Sequence, residues 1–326
     1  MNVENNQALD NLYDYAIDLL ASPEKFHSQA VQETIEQVAR SILNYDPEEL
    51  SDLPFSIRVA VIDRSLEHKQ VDQIQHFLKS DICSAIMNQD HHMDSLAEYF
   101  IEVIDDGRSA RIRDNRLDDA HLQTVINKIN NAVESLILDN CKIFKKLPDF
   151  QNLNNLKSII IRSALNLSDI STLNTAENLE YLEIHNAMDI ESFEALKDNK
   201  ELKTLIADRC GVSSIETLTS LEKLSHLELS KCFHLTDYVH GDKPLLKSLI
   251  ELKNLEVLNL SHIFGLKNAT PLATLSRLKQ LDISNTGIQD LTPLSELENL
   301  ESLTVDAKQE VPELSDRVEI RTVDRD

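Results

Sequence analysis

The chain has 326 residues, 41% of them hydrophobic, and its 56 Asp and Glu against 32 Lys and Arg leave a formal net charge of −24 at pH 7. That length accommodates two structural units and a substantial core. The acidic excess falls on both parts, 24 against 11 in residues 1–130 and 32 against 21 beyond them, so neither offers the basic stripe that a nucleic-acid backbone demands. The only local basic cluster, Arg108, Arg111, Arg113 and Arg116, is interleaved with Asp105, Asp106 and Asp114. No run approaches the ~18 apolar residues of a membrane span. The start MNVENNQALD also lacks the basic and apolar stretches of a signal peptide. The chain is therefore expected to be cytoplasmic as synthesised, with export by a signal-less route left open.

Residues 1–107 read as an α-helical domain. Glycine first occurs at Gly107, and apolar residues follow helical spacing, as in Leu9, Leu12, Ala16, Leu19 and Leu20, then Val31, Ile35, Val38 and Ile42. Ser22 before Pro23, and Asp46 before Pro47 with Glu49 following, place a capping side chain ahead of an N1 proline. Further helices are expected over 47–66, 69–87 and 93–104. The charged stretch around Gly107 reads as the boundary. Residues 108–132 then carry a helix whose Leu122, Val125, Ile126 and Ile129 lead into Val133, a helical cap for the segment that begins there.

Residues 133–326 repeat. Unit starts fall at Val133, Leu156, Leu179, Leu202, Leu224, Leu255, Leu278 and Leu300, with steps of 23, 23, 23, 22, 31, 23 and 22. Each opens on an LxxLxL pattern and continues with leucines at three-residue steps, a strand followed by a helical or extended return that cannot bury its own leucines alone. About eight such units form a solenoid, and Val318, Ile320 and Val323 alternate as a C-terminal edge strand would. The fold class is α+β, an all-helical N-terminal domain followed by a repeat solenoid with a curved parallel sheet.

Strand side chains alternate, so each LxxLxL strand buries its leucines and exposes the residues between and after them. The exposed columns bring Tyr181, His185, Arg209, His226, Glu228, Lys231 and His262 into the middle repeats. Tyrosine and arginine are enriched at binding hot spots, so this centre is the candidate partner-binding site; ordinary solvated surface is the alternative. The 31-residue step marks an insertion loop carrying Phe233, His234, Tyr238 and His240 in a chain only 5% aromatic. Either the loop touches a partner, or Phe233 and Leu235 tuck beneath it as a staple.

Phosphate-cradling glycine loops, HExxH, GxSxG and CxxC are absent from the sequence. Cys141, Cys210 and Cys232 share one inward repeat position with Ala164 and Ala187, as small core residues do. Cys83 has only Lys79 beside it in a helical pattern, too little positive charge to activate a thiol. The neighbouring His91 and His92 point to different helix faces, and His234, His240 and Asp242 lack ligand spacing. No catalytic residue, metal or cofactor is expected.

Residues 133–305 resemble the leucine-rich repeats of the bacterial internalin type, on NTGIQDLTPLSELENLESLTV and NATPLATLSRLKQLDI, with the TPL at Thr270 and again at Thr292. The resemblance implies a curved solenoid that binds proteins on its concave side. The helical N-terminal domain departs from the internalins; the architecture is similar to leucine-rich-repeat effectors that intracellular bacteria inject into host cells. Within the helical domain, LPFSIRVAVIDRSL at 53–66 resembles the opening of an F-box through Leu53, Pro54, Ile57, Val61 and Leu66, without its downstream tryptophan. The leading expectation is a non-enzymatic module binding a protein partner. The alternative is an adaptor recruiting ubiquitin-ligase machinery through the helical domain.

Overall fold

The computed structural model describes residues 93–94, 96–235 and 245–324. The helical reading of residues 1–92, the F-box-like stretch 53–66, Cys83, Tyr238 and His240 lie outside the described residues. The chain divides into two compact units, Met1–Tyr99 and Phe100–Asp326, and the second carries the repeats.

Its first element is a hairpin. Strands β1 (Ile101–Ile104) and β2 (Ser109–Ile112) pair antiparallel across a turn in which Asp105, Asp106 and Gly107 all take positive φ. The apolar spacing predicts a helix running to Ile104. Ile101, Val103 and Ile104 are instead β-branched residues in a ladder, and β2 itself pairs parallel with the first repeat strand, so tertiary pairing overrides the helical spacing.

Eight parallel strands follow, one per repeat: β3 (Ser135–Asp139), β4 (Ser158–Arg162), β5 (Tyr181–His185), β6 (Thr204–Asp208), β7 (His226–Glu228), β8 (Val257–Asn259), β9 (Gln280–Asp282) and β10 (Ser302–Asp306). A last strand, β11 (Glu319–Val323), adds parallel to β10. All eleven form one curved leucine-rich-repeat sheet, in chain order from β1 to β11. Pairing is in strict register, for example Ser158 with Tyr181 and Tyr181 with Thr204, so equivalent repeat positions stack into columns.

Three columns make the core. The repeat-opening residues (Val133 to Leu300) and the two inward strand positions (Leu136 to Leu303 and Leu138 to Val305) are none more than 2% exposed. Cys141, Ala164, Ala187, Cys210 and Cys232 form a fourth buried column, small because the chain turns there. The return legs contain 3-10 turns at Ser171–Thr175, Glu194–Leu196, Glu216–Ser220, Thr270–Thr274 and Thr292–Glu296, each burying its leucine. Pro271 and Pro293 occupy the first turn of the last two, where a missing N–H costs nothing.

Helix α1 (Asp119–Asn127) precedes the first repeat. Asp118 accepts from the His121 N–H at 2.9 Å as N-cap. Asp119 Oδ1 accepts the backbone N–H groups of Lys145 and Lys146 at 2.7 and 3.0 Å, and Gln123 Oε1 that of Asp149 at 2.7 Å. In the next repeat the N–H groups of Ser168 and Asp169 go to the Lys145 carbonyl. The helix side chains thus supply acceptors that a preceding repeat would otherwise provide. The insertion returns through a short helix, α2 (Leu245–Leu249), whose Leu245 and Leu249 are buried.

Two side-chain ladders tie repeats along the edges. Glu134, Glu180 and Glu256 pair with Lys157, Lys203 and Lys279 of the following repeats at 3.0, 2.5 and 2.7 Å, exposed pairs that solvent screens. Asn155, Asn178, Asn254 and Asn299 each donate Nδ2–H to a carbonyl one repeat earlier. Asn199 does so from within the core: it is 1% exposed and donates to the Leu173 and Ala176 carbonyls at 3.1 and 2.9 Å. Replacing Asn199 with alanine is expected to lower unfolding free energy by about 1–2 kcal/mol, measured by urea titration; an unchanged midpoint would show that this buried bracket contributes nothing.

Candidate functional site

On the open face of the sheet, the residues between the inward leucines form a polar centre organised by Glu183. This carboxylate is 9% exposed and unusual among buried residues in facing away from the leucines. Tyr181 Oη donates to Glu183 Oε2 at 2.6 Å, while Arg162 donates to Oε1 through Nε and Nη2 at 3.3 and 3.2 Å. His185 Nε2 lies 3.0 Å from the same Oε1, and its Nδ1 lies 3.7 Å from Asp208 Oδ2. Two strands away, His226 Nε2 meets Glu228 Oε1 at 2.6 Å. Burial pushes the Tyr181 phenol up, and its bond to the Glu183 carboxylate pushes it further. Burial also raises Glu183, but the hydrogen bonds from Tyr181, His185 and Arg162 outweigh it and hold the carboxyl below its ordinary value of 4.5. The centre is an ordered, hydrogen-bonded platform.

The remaining predicted residues stand one row on, where each strand ends. Asn140, Ser163, Asn186, Arg209, Lys231, His262 and Asn285 all have φ between 53° and 60°. This left-handed turn lets the N–H continue the ladder: Asn140, Asn186, Arg209, Lys231 and His262 donate to carbonyls of the next repeat at 2.9–3.0 Å. Asparagine tolerates the conformation, whereas other side chains meet a cost of roughly 1–2 kcal/mol. Three consecutive repeats nevertheless carry Arg209, Lys231 and His262. The Arg209 guanidinium donates to Asn186 Oδ1 at 3.5 Å, and among the described residues neither Arg209 nor Lys231 has an ion pair.

Beyond this row lies a feature that the strand columns did not reach. Two positions further on, Leu165, Met188, Phe233 and Phe264 are 52, 47, 45 and 62% exposed. Phe233 and Phe264 stack with centroids 6.0 Å apart, and His262 meets the Phe264 ring edge-on at 6.3 Å. Of the staple expected in the insertion loop, Leu235 is buried and Phe233 is not. Glycine fills this position in two repeats because neighbouring backbone comes too close: a Cβ on Gly211 would lie 1.9 Å from the Met188 carbonyl oxygen, and one on Gly287 2.8 Å from that of Phe264. His234 Nδ1 sits 2.8 Å from the Gly211 carbonyl oxygen, anchoring the turn that presents Phe233. Sequence reading missed Arg162, Glu183, Met188 and Phe264 as site residues, although carrying the repeat alignment two positions past the strand would have exposed the ridge.

Cys141, Cys210 and Cys232 are buried, free thiols. Burial pushes the Cys141 thiol up to about 11, and the adjacent Cys232 together with burial pushes Cys210 up as well. Among the described residues, no helix is long and apolar enough to cross a membrane, and no group of three His, Cys, Asp or Glu could hold a metal ion.

No family model matches the chain. Its fold is similar to that of an internalin from Listeria monocytogenes, with a TM-score of 0.52 and 21% identity over 63% of this chain and 61% of that one. A second Listeria monocytogenes structure, internalin C2, aligns with a TM-score of 0.44 and 21% identity over 62% of this chain and 90% of that one. A disease resistance protein of Arabidopsis thaliana is 30% identical over 162 residues, 48% of this chain. The chain spans only 13% of that relative's length and 61% of the first internalin's.

A carboxyl held low stabilises the fold above its unfolded pKa and loses that contribution as pH falls through the folded value. Glu183→Gln should therefore destabilise the protein at pH 7 and narrow its gap to wild type below pH 4.5, followed by thermal melts across pH; a constant gap would sink the assignment. Lys231→Asn should raise stability by up to about 1 kcal/mol by relieving the left-handed turn, read from the denaturation midpoint; a loss would mean that the lysine stem packs favourably there.

Proposed function

We propose that this protein is a non-enzymatic interaction module that grips a protein partner on the concave, open face of its repeats, through Tyr181, His185, Arg209, His226, Glu228, Lys231 and His262. The observation that carries this reading is the hydrogen-bonded platform around Glu183. Its side chains are held by one another before any partner arrives, so little side-chain entropy remains to be lost on binding. Eight repeat strands at about 4.8 Å spacing make a face roughly 35 Å across, room for the ~800 Å² per partner of a standard interface. The setting we propose is a bacterial effector acting in a host cell, for which the likeness in fold to an internalin and the helical spacing of apolar residues in the N-terminal sequence are the support. The insertion loop, with Phe233, Tyr238 and His240, would extend the same surface.

The test compares wild type with the full-length Tyr181→Ala, His185→Ala, His226→Ala variant as bait in host and bacterial lysates, followed by titration of each purified partner. A protein retained by wild type should bind the triple variant at least about tenfold more weakly. Retention and affinity indifferent to all three changes would remove the open face from the function.

A further inference from the structure

The ridge and the row beside it bring exposed aromatic surface, Phe233 and Phe264, together with basic side chains, Arg209 and Lys231, that form no ion pair among the described residues. Elsewhere on the open face basic side chains and imidazoles stand against carboxylates: Arg113 with Asp139, Arg162 and His185 with Glu183, and His226 with Glu228. Arg209, Lys231 and His262 meet no carboxylate in any ion pair among the described residues, in a chain of net charge −24. Their surroundings explain why. The column preceding them carries carboxylates in Asp139, Asp208 and Asp306, but beside Lys231 and His262 it carries Ser230 and Ser261, whose hydroxyls bond each other at 3.0 Å. The nearest acids in the strands are already engaged, Glu228 by His226 and Asp208 by His185. All three residues also occupy left-handed backbone that favours the asparagine found in Asn140, Asn186 and Asn285. Local strain that only the side chain's identity explains is a marker of function.

From this we infer that the rim formed by Arg209, Lys231, His262, Phe233 and Phe264 is a docking site for an acidic, extended peptide segment of a partner protein, anchored by an aromatic or large aliphatic side chain on the Phe233–Phe264 pair. The inference rests on the reading of the repeats as a protein-binding module and assigns the chemistry of the ligand they bind. Successive repeats lie about 4.8 Å apart, so Arg209 and His262 are separated by roughly 10 Å along the rim. An extended peptide rises about 3.3 Å per residue, which sets carboxylates two or three residues apart against this row. The stacked rings give the anchor a flat, preformed apolar surface, and positive charge beside it speeds the encounter with an acidic segment and rejects basic ones.

The experiment is selection of random dodecapeptides displayed on phage against the full-length protein. Selected peptides are then resynthesised with a fluorophore and titrated by anisotropy against wild type, Phe264→Ser, Lys231→Glu, and the Tyr181→Ala, His185→Ala, His226→Ala face variant. Both rim positions are solvent-exposed or half-buried, and circular dichroism is used to check that each variant is folded. Expected are sequences with two or more carboxylates flanking an aromatic or large aliphatic residue, weakened about tenfold or more by either rim change and weakened further by salt. No enrichment, an uncharged or basic consensus, or binding untouched by both rim changes would overturn the assignment. Peptides lost on the face variant but not on the rim variants would overturn it while leaving the protein-binding reading intact. Sedimentation velocity supplies the other arm: self-association of wild type abolished by Phe264→Ser would make the occupant a second copy of this chain and overturn the acidic-peptide assignment.

Discussion

Everything on this surface depends on the in-register stacking of one parallel strand per repeat. A single strand and its return leg leave three leucine positions bare; placing the next repeat about 4.8 Å away buries them against identical positions. Because the leucines must coincide, every other position must coincide as well, and a repeated sequence becomes a set of straight columns. The Glu–Lys ladder, the asparagine ladder and the left-handed turn column follow from that one constraint.

The columns divide the labour. Those facing inward favour apolar or small residues, which is why Cys141, Cys210 and Cys232 sit where other repeats place alanine, and the buried Asn199 is held there by two carbonyls. Those facing outward are free of packing demands, so departures from uniformity there carry information. Arg209, Lys231 and His262 depart from asparagine at a position where asparagine is the less strained choice, and Phe233 and Phe264 depart from solubility at a position where two other repeats use glycine. Glu183 departs from the apolar Ile137, Ile160 and Ile206 of its column, and the centre condenses around it through hydrogen bonds from two adjacent strands. In each case the substituted residue is explained by what it can contact, whereas the backbone beneath it is unchanged.

The ends of the sheet are solved by chemistry rather than by repetition. At its start, Asp119 and Gln123 of a helix offer oxygen acceptors to N–H groups of the first repeat. Near its end, the Asp306 side chain accepts the Asn285 N–H at 2.6 Å in place of a backbone carbonyl, and Gln309 bonds the Asp306 N–H in turn. These are ordinary polar residues whose role comes only from standing where a neighbouring repeat is missing.

The repeat period by itself determined the solenoid, its eight repeat strands, its three leucine columns and the inward cysteine position, because a periodic burial pattern admits one way of stacking. It also placed Tyr181, His185, His226 and Glu228 on the open face, since strand alternation alone decides that. The hairpin at residues 101–112 was decided by tertiary pairing: its apolar spacing suits a helix as well as a strand, and only the waiting edge of β3 selects between them. Which polar residues pair was likewise a matter of distances across strands, so the convergence of Arg162, Tyr181 and His185 on Glu183 has no signature in any single repeat. The aromatic ridge is a contact between side chains 31 residues apart, Phe233 and Phe264, brought together because the insertion changes the step along the chain without changing the spacing between repeats in space.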